Sequence, residues 1–199
     1  MAEAPAFDAW YRDDPDPFGV RTRWYERRKL AVLLAALQHP RYGTAWDPAC
    51  GTGDLALALA DRCDRVVGSD LSAHAVGLSR ALVAGRAHVE VVENALPDVP
   101  AAASGAELVV LSEVLYYLPA PARAATIGRI DDLMRPAGRA ELVSVHWRHH
   151  PHDAHLSGAD LTTELDARLA GRGWTPAVRH DDTDFVLATW TLAPSERQS

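Results

Sequence analysis

Lysine is nearly absent from this chain of 199 residues: of its 20 lysines and arginines only Lys29 is lysine, so any chemistry that needs a lysine amine has to use that residue. Cysteine is scarce as well. Cys50 and Cys63 make neither a disulfide framework nor a four-ligand zinc site, and both read as small core or loop thiols. Apolar runs are short and broken by charge, which excludes a bilayer span, and Met1 to Ala6 shows no basic stretch followed by an apolar core. The expectation is a cytoplasmic protein without a membrane partner. Positive charge is outnumbered, 20 against 27 acidic residues, which disfavours a polyanion and hence nucleic acid as the main partner. No internal repeat is visible. What remains, at 48% hydrophobic and 24% charged, is the composition of one ordinary globular domain.

Alternation of apolar runs with helical patterns sets the fold. Phe7 to Gly19 holds aromatics and an Asp13-Asp14-Pro15-Asp16-Pro17 turn cluster, after which residues 21–38 read as a helix with Leu30, Leu33, Leu34 and Leu37 on one stripe. Strands are expected over 45–49, 65–69, 88–92, 106–112 and 139–146, and helices over 54–61, 72–84 and 120–134. That is βαβ alternation and hence a parallel sheet. A His- and Pro-rich loop over 147–155 leads into a helix carrying Leu161, Leu165 and Leu169, followed by strands over 175–180 and 184–192. Only Asp181-Asp182-Thr183 separates the last two, a connection that suits antiparallel strands and cannot host a parallel crossover. The ends before Phe7 and after Leu192 are expected to fray.

The strongest constellation is Trp46-Asp47-Pro48-Ala49-Cys50-Gly51-Thr52-Gly53-Asp54, a strand running through glycines into a helix. Glycines there allow a sharp turn and a close backbone approach to a ligand, and the exposed amides of the helix start bind polar groups. The next strand ends at Asp70, whose carboxylate can accept both hydroxyls of a ribose. A nucleoside-bearing cofactor follows. The same glycines satisfy a loose dinucleotide fingerprint, but Asp47 ahead of them suits an aminoacyl tail better than a pyrophosphate. A nicotinamide oxidoreductase is also disfavoured because Lys29 precedes the glycine turn, so a Tyr-x-x-x-Lys relay after it is missing.

These residues, with Leu111-Ser112-Glu113-Val114-Leu115-Tyr116-Tyr117, resemble the class I S-adenosylmethionine-dependent methyltransferases. The resemblance implies an α/β fold: a Rossmann-like, seven-stranded, mostly parallel sheet of order 3-2-1-4-5-7-6 with the last strand antiparallel, flanked by helices and carrying an amino-terminal helical lid. It divides a single domain over 1–199 into lid helices (1–40), core (41–192) and frayed tail (193–199). More narrowly, Asp14-Pro15-Asp16-Pro17-Phe18-Gly19, Trp24-Tyr25-Glu26-Arg27-Arg28-Lys29 and Arg179-His180-Asp181-Asp182-Thr183-Asp184-Phe185 resemble the nodulation protein S group, which N-methylates an amino sugar. The cofactor is then S-adenosylmethionine, leaving as S-adenosylhomocysteine. The resemblance implies that Asp47, Ala49, Gly51 and Gly53 lie along its methionine part and Asp70 on the ribose. It sets Leu71 on the adenine with Asn94 and Ala95 beside it, Ser112 at the next strand end, and Trp24 and Arg28 on the lid. Ala49 stands where a motif glycine is common, and Asn94 where an acid is usual.

The acceptor side follows from where ligands bind in such sheets, at the carboxyl ends of the strands. Glu113 and His146 are the candidate catalytic residues. Glu113 is placed to orient or deprotonate an ammonium, with capping of the next turn or holding the cofactor as its plainer role, and histidine titrates near neutrality. Tyr116, Tyr117 and Trp147 are the candidate substrate-binding residues. His149, His150, His152 and His155 read as a surface loop, with no metal site expected. The reading is an enzyme that moves a methyl group to an amine or hydroxyl of a small polar acceptor; a non-catalytic cofactor-binding module is the alternative.

Overall fold

A computed structural model describes residues 4–192. Two helices, α1 (Ala4–Asp13) and α2 (Trp24–Ala36), precede an alternating core: β1 (Tyr42–Pro48), α3 (Asp54–Leu59), β2 (Cys63–Asp70), α4 (Ala73–Leu82), β3 (Val89–Glu93) and β4 (Ala106–Ser112). It continues through α5 (Ala120–Met134), β5 (Ala140–Trp147), α6 (Gly158–Ala170), β6 (Thr175–Asp181) and β7 (Phe185–Leu192). The sheet has order β3-β2-β1-β4-β5-β7-β6. β1 to β5 pair in parallel, whereas β7 runs antiparallel to both β5 and β6. This is the topology that the short Asp181-Asp182-Thr183 connection and the resemblance both require.

Strand alternation feeds two apolar layers. In β4, Val109 and Leu111 point to the layer built with Ile127, Ile130 and Met134 of α5 and the Leu161, Leu165 and Leu169 stripe of α6. Leu108 and Val110 point the other way, to Leu33 and Leu37 of α2, Leu59 of α3, and Phe185 and Leu187 of β7. Because helices cover both faces, β5 is buried from Ala140 to His146 and emerges only at Trp147. No helix among the described residues is long and apolar enough to cross a membrane.

Three differences from the sequence reading matter for the site. A helix, α1, occupies the segment read as aromatics and turn; Pro5 lies in its first turn, where a missing N–H is tolerated, so composition hides it. Residues 4–6 are therefore helical rather than frayed, while the tail over 193–199 lies outside the described residues. α2 begins at Trp24, not at Arg21, because the left-handed Gly19 receives the Thr22 and Arg23 amides and turns the chain first. β5 runs one residue further than expected, which moves His146 from the strand mouth to its interior.

α5 and the loop after α6 are joined by one buried carboxylate. Asp131, with a side chain 2% exposed, accepts from Trp174 Nε1 at 2.8 Å, Arg135 at 2.9 Å and Arg172 at 3.0 Å. Burial would raise this carboxyl, but those three donors outweigh it and hold it below the usual range. A carboxyl depressed in the fold contributes stability that is present above its unfolded pKa and is lost as pH falls through the folded value. Asp131→Ala strands the Trp174 N–H and two arginines. It is expected to cost about 2–3 kcal/mol, a fall of about 5–10 °C in melting temperature at pH 7 that shrinks toward pH 3, read by thermal denaturation across pH.

Candidate functional site

β1, β2 and β4 deliver their carboxyl ends to one edge of the sheet, and a cavity of about 1360 Å³ opens there. That exceeds the roughly 300–1,000 Å³ of a pocket for one small ligand, so the space accommodates two molecules side by side. Its two halves are built differently.

The first half is the turn between β1 and α3. Ala49, Gly51 and Gly53 all have positive φ, and the turn is closed by Cys50 N–H on Ser69 O and Gly53 N–H on Cys50 O, each at 2.9 Å. Ala49 keeps a Cβ in a left-handed conformation at a cost of about 1–2 kcal/mol, which is why glycine is at home there. A Cβ on Gly51 would stand 2.7 Å from the Tyr11 hydroxyl, so this position admits only glycine while α1 lies over it. Asp70 faces the turn: its carboxylate accepts the Gly51 and Ser72 amides, each at 2.9 Å. Burial pushes the Asp70 carboxyl up against those amides. Asp47 is more extreme. It is 1% exposed, neither carboxylate oxygen has a hydrogen-bond partner among the described residues, and burial together with the Asp70 charge drives its pKa well above the ordinary value.

The second half lies beyond β4. Glu113 follows the strand with φ +54°, a strained conformation that aims its side chain back across the strand ends. Its Oε1 receives Lys29 Nζ at 2.6 Å and the Tyr25 hydroxyl at 3.1 Å; its Oε2 receives the Tyr116 hydroxyl at 2.5 Å and the Trp147 amide at 2.8 Å. Burial opposes ionisation of Glu113, but Lys29, His146 and Tyr116 outweigh it, so the carboxyl sits below its usual range. Lys29, 7% exposed, also meets Glu26 Oε2 at 2.9 Å. Burial would lower the Lys29 ammonium, and the two glutamates hold it above its ordinary value.

α1 and α2 cover the edge. Asp8 of α1 receives the Ser72 hydroxyl at 2.7 Å and contacts the His74 ring at 2.9 Å, at the start of α4. These bonds hold the Asp8 carboxyl well below the usual range. Phe7 packs edge-on against Tyr117. α2 is tied at its far side by Arg28, which pairs with Asp182 in the β6–β7 turn and lies 5.6 Å over the Phe185 ring.

Of the residues singled out from the sequence, Asp47, Ala49, Gly51, Asp70, Leu71, Ser112, Glu113, Tyr116, Tyr117 and Trp147 all line the cavity. Others do not, and each has a physical reason. His146 is fully buried: Nε2 accepts the Val114 and Leu115 amides, both at 3.3 Å, and Nδ1 meets Ser144 Oγ at 3.0 Å. Burial lowers its pKa to about 4, so it holds the turn after β4 and is no general base. Glu113, the other expected base, has both oxygens taken by four donors. Gly53 is backed onto α4, where a Cβ would lie 2.3 Å from Ser79 Oγ; it starts the helix without reaching the cavity. Asn94 donates to Asp98 O at 2.7 Å and, with Ala95, stands outside the lining. Trp24 is 69% exposed, on the side of α2 away from Lys29, and Arg28 is committed to Asp182. Sequence reasoning missed Glu26, Lys29 and Tyr11 as site residues; the solitary lysine three residues after a glutamate was the available signal. Among the described residues no three metal-ligating side chains come together, and His152 points to solvent.

A methyltransferase domain model matches residues 45–138. A candidate methyltransferase from Pseudomonas syringae is 36% identical over 85% of this chain and 99% of its own, with TM-score 0.69. The chain belongs to the methyltransferase family. The N-methyltransferase NodS from Bradyrhizobium japonicum, solved with S-adenosylhomocysteine, shares the fold at TM-score 0.77 and 19% identity over 95% of this chain and 97% of its own. DhpI, solved with the same product, matches at TM-score 0.70 and 22% identity, over 98% of this chain and 97% of its own. No curated protein matches the sequence.

The cofactor of this methyltransferase is S-adenosylmethionine, and the cradle fits it. A buried carboxylate without partners is a site for a cation, which the aminoacyl end of that molecule carries, and Asp70 retains acceptor capacity beside its two amides. Asp47→Asn is therefore expected to weaken S-adenosylhomocysteine binding by about 10- to 100-fold in calorimetry, the value of a charge-assisted hydrogen bond. Because the folded pKa of Asp47 is raised, the ligand-free protein loses stability as pH climbs from the ordinary carboxylate value to the raised one. The asparagine variant lacks that loss, so its ligand-free melting temperature at pH 8 should be no lower than that of the parent.

Proposed function

We propose that this protein transfers a methyl group to the amine, or failing that a hydroxyl, of a small polar acceptor of the amino-sugar class. The observation that carries the reading is the second half of the cavity: a chamber continuous with the cofactor cradle and furnished with carboxylates and aromatic faces. A module that only binds the cofactor has no use for it. On this reading residues 1–40 form the cover, 41–192 the catalytic core, and 193–199 a tail.

When bound, S-adenosylmethionine supplies an electrophilic methyl group on a sulfonium. The chain's own residues do the rest. Asp47 holds the aminoacyl ammonium, the amides of the Ala49 to Gly51 turn meet the carboxylate, and Asp70 holds the ribose hydroxyls; Leu71 packs on the adenine and Ser112 closes the base of the cradle. Tyr117 and Trp147, the latter 38% exposed, offer faces on which a sugar ring can stack while its heteroatom is presented in line. The Tyr117 hydroxyl is pushed up to about 12, chiefly by burial, and so remains a donor at neutral pH.

Two measurements test the reading. Incubation with S-adenosylmethionine and a pool of chitosan oligomers, amino sugars, neutral sugars and small phenols should yield a methylated amino sugar by mass spectrometry; methylation of phenols alone would refute the acceptor class. Asp70→Ala should lose S-adenosylhomocysteine affinity by about 100-fold or more, since two hydrogen bonds to a charged group are removed, and unchanged calorimetric affinity would refute the ribose assignment.

A further inference from the structure

The charges in the acceptor chamber do not balance. Glu26 and Glu113 share the single buried ammonium of Lys29, two carboxylates against one cation. Among the buried groups the chamber is therefore one positive charge short; Arg23 and Arg27 also line the cavity but are exposed to water and form no ion pair with either glutamate among the described residues. The shortage falls on Glu26. Glu113 has four donors, whereas Glu26 has only Lys29 on Oε2, and its Oε1 has no partner among the described residues although the residue lines the cavity.

Resting on the reading of an amine acceptor, we propose that Glu26 is the catalytic residue that binds the acceptor's ammonium and takes its proton, so that the enzyme uses the protonated amine directly. Oε1 receives one N–H proton; the nitrogen lone pair so released forms the N–C bond to the transferred methyl while the C–S bond breaks and its electron pair stays on sulfur as a thioether. The product leaves as a methylated ammonium, and the proton on Glu26 passes to solvent.

Other groups facing the chamber are unsuited to this role. Tyr25, Tyr116 and Tyr117 are held in their protonated forms, chiefly by burial and then by the Glu113 charge for Tyr25 and Tyr116 and the Asp153 charge for Tyr117. Asp184, from the β6–β7 turn, is exposed to water. In the other arm of the cavity Asp54 and Asp61 are paired with Arg21 and Arg86, and Asp16 receives the Val20 amide. The groups acting on Glu26 are Lys29 of its own helix, Arg23 just before that helix, and Glu113 just after β4. Burial outweighs the two cations and leaves the Glu26 carboxyl above its ordinary value, the direction a general base near neutrality requires.

The test is the pH profile of kcat/KM for an amino-sugar acceptor in the parent and in Glu26→Gln, with S-adenosylhomocysteine calorimetry as the check that the variant is folded. The parent should stay level between the raised pKa of Glu26, below which the base is protonated and the rate falls, and the amine's own pKa. The variant, restricted to free base drawn from solution, should rise tenfold per pH unit, lie about 100-fold below the parent two units under that pKa, and converge with it above. A deficit that is the same at every pH, or a parent profile that itself climbs tenfold per unit up to the amine's pKa, overturns the proposal; the latter needs no variant at all. Failure of the parent to methylate any amine, while a hydroxyl acceptor is turned over, removes the inference and leaves the hydroxyl form of the functional reading standing.

Discussion

One ammonium organises the acceptor side of this methyltransferase. Lys29 is withdrawn from water on α2 and bridges Glu26 on its own helix to Glu113 at the end of β4. Desolvating an ammonium is expensive, and the position holds only because carboxylates meet it from both sides. Glu113 in turn gathers Tyr25, Tyr116 and the Trp147 amide. Helix, strand end and the mouth of β5 are thus referred to a single charge, and the distances between the faces that would hold an acceptor are set by it. The arrangement explains why an otherwise arginine-only basic complement keeps one lysine: a compact ammonium fits between two carboxylates, where a planar guanidinium fork would have to push them apart.

Among the described residues, non-glycine positive φ and unpartnered buried side-chain oxygens fall at the same edge. Ala49 and Glu113 are the two non-glycine residues with positive φ among the described residues, one at the exit of β1 and one at the exit of β4. Among the described residues the buried side-chain oxygens without a partner both belong to Asp47, at the end of β1. Away from that edge, buried polar groups are closed: Glu141 is bonded to Tyr42 and the Gln38 amide, and Asp131 to Trp174 and two arginines. A sheet covered on both faces supplies the stability that lets its carboxyl edge remain unfavourable until ligands complete it.

The fold was largely legible because its determinants are local and periodic. The Leu161, Leu165 and Leu169 stripe and the short polar link before β7 each carry their structure in sequence. The positions of Asp47, Gly51 and Asp70 along the cavity were legible for the same reason, since Asp47 and Asp70 close strands that alternation locates and Gly51 lies in the turn that follows the first of them. The acceptor side depends on side-chain direction, which alternation gives only if a strand's end is known to the residue. β5 extends to Trp147, and that single step turns His146 from an exposed base into a buried acceptor for the Val114 and Leu115 amides. Helix phase had the same effect in α2: Trp24 and Arg28 are conspicuous by type, yet the α2 residues lining the cavity include Glu26 and Lys29 instead. Long-range pairings such as Lys29 with Glu113 leave no periodic trace.

Two carboxylates around one ammonium would titrate alike if their surroundings were alike. They are separated by the number of donors each receives, four for Glu113 and one for Glu26, and so one is held ionised below its usual range while the other is raised. Divergence of this kind is how a site assigns different tasks to like groups: the saturated carboxylate fixes geometry and the unsaturated one is left for proton transfer. The assignment is also tied to the cover. Glu26 and Lys29 ride on α2, which is moored to the β6–β7 turn through Arg28 and Asp182, whereas Glu113 belongs to the sheet. The charge imbalance is therefore held between a helix and the strand end it packs against, with Leu33 of α2 and Leu37 at its end fixing the helix in the core.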